Sequence, residues 1–74
     1  MTSRAVTEAL AQQVRELAAE RGYTAETLAQ ASGLTRARLQ PILNGEQWPC
    51  PRTISALARA LEVTIDQLIP QEAR

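Results

Sequence analysis

The sequence predicts an all-α fold, a compact bundle of five helices in which the second and third are joined by a very tight turn. Three observations carry this expectation. Aliphatic residues and alanine are plentiful, phenylalanine is absent, and Tyr23 and Trp48 are the only aromatics. Such a composition suits closely packed helices better than a sandwich of strands. Apolar residues recur at helical spacing along most of the chain. Threonines stand ahead of most of the periodic stretches, while Gly22, Gly33 and Gly45 follow three of them, the expected signals for helix starts and stops.

The first helix is expected to open at Ser3 or Thr7, both suitable N-caps, and to run to Arg21. Val6, Leu10, Val14, Leu17 and Ala18 define its inner face, and Gly22 ends it in a left-handed conformation. Thr24 caps a short second helix over residues 25–31, with Leu28 and Ala29 inward and Glu26 in the dipole-favoured first turn. Gly33 makes the tight turn. Thr35 caps the third helix, Arg36 to Leu43, which buries Leu39 and Ile42 and stops at Asn44-Gly45. After a loop over 44–50, Pro51 opens a fourth helix with a buried stripe of Ile54, Leu57, Ala58 and Leu61. Thr64 and Gln67 form a capping box for a last helix through Ile69, and Pro70 ends it. Trp48 is expected to pack between the third and fourth helices, and Tyr23 at the corner of the first two.

At 74 residues the chain is read as one domain over 1–70, with 71–74 as a frayed tail. A chain this short buries only about 60 % of its unfolded surface. It therefore needs a well-patterned core or a partner. Cys50 is the only cysteine and histidine is absent, which argues against an internal disulfide, a metal site and imidazole catalysis. No cofactor is expected. With no nucleophile–base pair and no glycine-rich phosphate loop, an enzyme is not expected either. No apolar run approaches the roughly 20 residues of a membrane span. No signal-peptide pattern opens the chain, so a cytoplasmic protein is expected.

The formal net charge is zero, but its distribution is uneven. Residues 1–26 carry three arginines against four glutamates, and 60–74 carry one arginine against three acids. Between them, Arg36, Arg38, Arg52 and Arg59 face Glu46 alone. A local arginine patch of this kind can hold phosphates.

Two short helices flanking Ser32-Gly33-Leu34 cross steeply and leave the outer face of the second free to enter a groove. The major groove of B-DNA admits one helix. The order of motifs closely resembles the lambda-repressor-like, Cro-type helix-turn-helix family. It runs from Thr24-Ala25-Glu26-Thr27-Leu28-Ala29 through Ser32-Gly33-Leu34-Thr35, Asn44-Gly45 and Trp48-Pro49. It continues with residues 53–64 and closes on Asp66-Gln67-Leu68. No tetrapeptide in it is specific; the joint order and spacing is.

The resemblance implies a compact lambda-repressor-like bundle whose helix-turn-helix is formed by helices 2 and 3, with residues 36–43 as the recognition helix. It implies a sequence-specific duplex-DNA-binding transcriptional regulator, acting as a homodimer on a palindromic operator. Arg36, Ala37, Arg38 and Gln40 then become the candidates for base contact. Arginine matches guanine O6 and N7, glutamine matches adenine N6 and N7, and alanine packs on a thymine methyl. Thr24, Ala25, Thr35, Asn44 and Arg52 become the candidates for phosphate contact. For the dimer, the last helix offers Leu68, Ile69 and Val63.

Four positions depart from the family pattern. Ala25 stands where relatives carry a phosphate-bracing glutamine. Ala18 and Leu43 stand where relatives place an ion pair between the first and third helices. Pro41 lies inside the recognition helix, where it removes one backbone bond and is expected to kink or tighten the last turn. Pro41, Ala25 and the zero net charge also fit a second reading, a protein-interaction module (antitoxin or antirepressor-like) with a degraded DNA-binding face.

Overall fold

In the computed structural model, which describes residues 4–70, five helices follow one another: α1 (Arg4–Glu20), α2 (Ala25–Ser32), α3 (Arg36–Leu43), α4 (Pro51–Leu61) and α5 (Ile65–Leu68). No strand occurs among the described residues. Three of the helix starts are built alike. The hydroxyls of Thr24, Thr35 and Thr64 accept from the backbone N–H of Thr27, Arg38 and Gln67, each satisfying an orphan donor of the first turn. Thr24 and Thr64 complete capping boxes through the side chains of Thr27 and Gln67.

The first helix departs from expectation at its start. It already includes Arg4, so Thr7 is not a cap but a buried residue of the inner face; Ser3 and the expected 71–74 tail lie outside the described residues. The buried stripe is Thr7, Leu10, Ala11, Val14 and Ala18, while Val6 and Leu17 are only half-buried. α2 runs one residue beyond expectation because the Ser32 hydroxyl bonds back to the carbonyls of Leu28 (2.7 Å) and Ala29 (3.2 Å).

Helices α1 to α4 end in the same double hydrogen bond. Tyr23 and Gly22 donate to Ala18 and Ala19, Leu34 and Gly33 to Ala29 and Gln30, Glu46 and Gly45 to Pro41 and Ile42, and Val63 and Glu62 to Ala58 and Arg59. This closure requires a left-handed residue. Three times it is glycine; the fourth time it is Glu62, at φ 58. A side chain in that region carries a steric cost, set against the entropy that glycine loses on folding. The Arg21–Glu62 pair at 3.4 Å is solvent-exposed and stabilises little. Glu62→Gly is therefore expected to raise the unfolding free energy by about 0.5–1 kcal/mol, read as a higher melting temperature at fixed protein concentration.

One core joins all five helices: Leu10, Val14, Leu28, Leu39, Leu57, Leu61 and Leu68 are fully buried, and Trp48 and Tyr23 pack half-buried against it. Tyr23 reaches further than the α1–α2 corner, since its hydroxyl donates to the Ala60 carbonyl of α4 at 3.2 Å. The last helix corrects one expectation. Leu68 has no exposed surface, Val63 and Ile69 are half-buried, and among the described residues the exposed large apolar one is Ile65, at 43 %. The way this single turn packs against α4 and α1 points Leu68 to the core and leaves Ile65 out of it.

Candidate nucleic-acid interface

Ser32 to Thr35 join α2 to α3 with Gly33 at φ 75 and Leu34 half-buried. The turn leaves one side of α3 uncovered. Leu39 and Ile42 anchor the helix to the core, and Arg36, Ala37 and Arg38 are exposed. Pro41 does not break α3, which continues through Leu43. Its ring nitrogen has no hydrogen to give the Ala37 carbonyl, so one rung of a short ladder is missing.

The four base-contact candidates do not form one group. Arg36, Gln40 and Asn44, spaced four apart, lie along one strip. Gln40 accepts from the Arg36 guanidinium at 3.5 Å and donates to the Asn44 side-chain oxygen at 3.0 Å. With its oxygen engaged, the amide group of Asn44 offers its N–H donors to a phosphate or base acceptor. Arg38 and Ala37 instead line a cleft of about 270 Å³ between α3 and the start of α4, closed by Ile42, Gln47, Pro49, Cys50 and Thr53. The difference follows from geometry, because residues two apart on a helix point to nearly opposite sides.

The phosphate-contact candidates sit at three helix starts and one helix end. The Thr35 hydroxyl accepts from Arg38 N–H at 3.1 Å and retains its own hydrogen for donation. At the start of α2, Thr24 is engaged within its cap: its N–H donates to Thr27 Oγ1 at 2.7 Å and its hydroxyl bonds the same residue. The amides of Ala25 and Glu26 remain. Glu26 carries a carboxylate there, which opposes a phosphate. Arg52 is exposed in the first turn of α4, whose N-cap, Cys50, makes no side-chain cap bond. Arg38 and the partial positive charge of that helix start make the cleft basic.

Two features of this face were not legible in the sequence. The Cys50 thiol meets the Thr53 hydroxyl at 3.3 Å, and that contact, followed by the backbone amide of Thr53, holds the thiol below its ordinary pKa. The second is Arg15 of α1, whose guanidinium donates to the Leu43 carbonyl at the end of α3. Arg15 and Leu43 are 28 residues apart, so no local pattern connects them. Ala18 and Leu43, which stand where relatives place an ion pair, line a shared cleft of about 200 Å³ with Leu28 and Tyr23.

Among the described residues no cluster of histidine, cysteine, aspartate and glutamate suits a metal ion. No described helix is long and apolar enough to cross a membrane.

A family model described as helix-turn-helix matches residues 13–68, more than half of the chain and all of the α2–turn–α3 unit. The chain belongs to the helix-turn-helix family. As a helix-turn-helix protein it superposes well on solved structures. The restriction-modification controller protein C.AhdI from Aeromonas hydrophila is 33 % identical, with a TM-score of 0.82 over 86 % of this chain and 97 % of its own. A transcriptional regulator of the same family from Vibrio cholerae is 28 % identical with a TM-score of 0.82 over 90 % of this chain. The match spans only 38 % of that longer protein. A hypothetical transcription factor from Neisseria is 26 % identical, again with a TM-score of 0.82, over 99 % of this chain and 87 % of its own. No curated protein matches the chain.

Proposed function

We propose that this helix-turn-helix protein is a sequence-specific duplex-DNA-binding transcriptional regulator of the repressor or Cro type, with α3 lying in the major groove and no catalytic activity. The observation that carries this reading is the strip Arg36–Gln40–Asn44 on the uncovered side of α3. Its guanidinium and amide groups complement the donor and acceptor pattern of purine edges. Arg36 and Gln40 read bases, Ala37 packs on a thymine methyl, and Arg38 contacts a base edge or the backbone across the cleft. Thr35, Asn44 and Arg52 hold phosphates, with the α2 start at Thr24 and Ala25 supplying an amide. The names of the similar structures, a restriction-modification controller and two transcription regulators, favour the same class.

One recognition helix spans only a few base pairs, so the protein acts as a homodimer on a palindromic operator with half-sites about one helical turn apart. Ile65, with half-buried Val63 and Ile69 beside it, is the apolar surface for that dimer. The site of action is the bacterial cytoplasm. The test is selection from a random duplex pool, followed by titration of the retained duplex at several salt concentrations. A palindromic consensus whose affinity falls steeply with salt is expected. If nothing is enriched over the input pool at low salt, the reading fails and a protein-interaction module takes its place.

A further inference from the structure

We infer that Arg15 is a positioning residue, which ties the C-terminal end of α3 to α1 and so sets the angle at which the Arg36–Gln40–Asn44 strip is presented. The inference rests on the proposed role of α3 in reading DNA. It starts from an account of the last four carbonyls of the helix. Gln40 receives the Asn44 N–H, Ile42 that of Gly45, and Pro41 that of Glu46. The Leu43 carbonyl is left, and Arg15 is the group that donates to it. A cation there also faces the negative end of the helix dipole.

Packing holds this end at Ile42 and where Gly45 lies against Glu8 of α1, but is thinner around Arg15. Ala18 is small, and it shares a cleft with Leu43 and Arg15. A second cleft, of about 180 Å³, lies on the other side and is lined by Arg15, Asn44, Gly45, Glu8, Ala11 and Gln12. Arg15 lines both clefts, with its guanidinium on the backbone one residue before Asn44. The opposite end of α3 is fixed through Leu34 and the turn. α3 is eight residues long and lacks a rung at Pro41, so its own backbone resists bending weakly. Such a helix is about 12 Å long, and a tilt of about 10° displaces its far end by about 2 Å, enough to break a hydrogen bond.

The test compares the protein with Arg15→Ala and Arg15→Lys. Each is titrated against the duplex selected by the parent protein and against a scrambled duplex of equal length, at several salt concentrations and well below its unfolding midpoint. Arg15 is exposed, so both variants are expected to fold. Arg15→Gln replaces Arg15→Ala if the latter loses its helical circular dichroism. Arg15→Ala is expected to bind the selected duplex about tenfold more weakly and the scrambled duplex within about twofold, with an unchanged salt slope. Arg15→Lys, which keeps a donor for the carbonyl, is expected to recover most of the loss. Equal weakening on both duplexes with a salt slope smaller by about one makes Arg15 a phosphate contact and overturns the inference. Unchanged selectivity in Arg15→Ala overturns it as well. If the parent protein itself selects no duplex, the inference falls together with the reading beneath it, a result distinct from the other two.

Discussion

Gly45→Ala is expected to lower the unfolding free energy by about 2–4 kcal/mol, a large part of the whole stability of so short a chain. Two separate costs meet at this position. Gly45 sits at φ 75, where a Cβ is strained by about 1–2 kcal/mol. It also approaches α1 closely: a Cβ there would stand 3.0 Å from Glu8 Cγ and 3.2 Å from Glu8 Cα. The side-chain carbon can swing aside; the backbone carbon moves only if α1 moves. Gly33 separates the two costs, because it has the same φ of 75 and nothing within 4 Å of the added carbon. Gly33→Ala is therefore expected to cost about 1–2 kcal/mol, the strain alone. Denaturant midpoints of the two variants, measured with equal m-values, decide the matter. Equal losses would mean that the α1–Gly45 approach contributes nothing.

The largest functional effect is expected at Arg36. Arg36→Ala removes the guanidinium from the strip and also frees Gln40, whose carbonyl oxygen loses its intramolecular donor. Affinity for the selected duplex is expected to fall by about 1–3 kcal/mol, and discrimination at one base position to relax. Arg52→Ala is the contrasting variant. Arg52 stands in the first turn of α4, away from the strip, and its loss is expected to weaken selected and scrambled duplexes alike and to lower the salt slope by about one. Binding titrations of both variants on both duplexes check this. A uniform loss for Arg36→Ala would reassign it to the phosphate backbone.

Apart from the start of α1, the starts and stops of the helices were legible because their causes are local. A threonine hydroxyl capping an amide three residues ahead, or a glycine closing a helix behind it, involves no distant part of the chain. The same holds for the tight α2–α3 turn and for Pro51 at the start of α4. The resemblance to helix-turn-helix proteins rested on the order of these signals. The candidate site was legible only as a set of residues. Helical spacing alone puts Arg36 and Gln40 on one strip. That Arg38 belongs to a different cleft, beside Cys50 and Thr53, depends on where α4 begins in space.

The sequence by itself determined the number and order of the helices and the threonine caps of α2, α3 and α5, since these follow from interactions within a few residues. The tertiary structure decided the rest. It buried Thr7 and Ala11 in preference to Val6, and turned Leu68 inward and Ile65 outward. It brought Tyr23 to Ala60, and it set Arg15 on the Leu43 carbonyl in place of an ion pair. Each of these is a contact between elements far apart in the chain. Which side chains meet there is set by the angle and rotation at which whole helices pack, and no local pattern of residues encodes that.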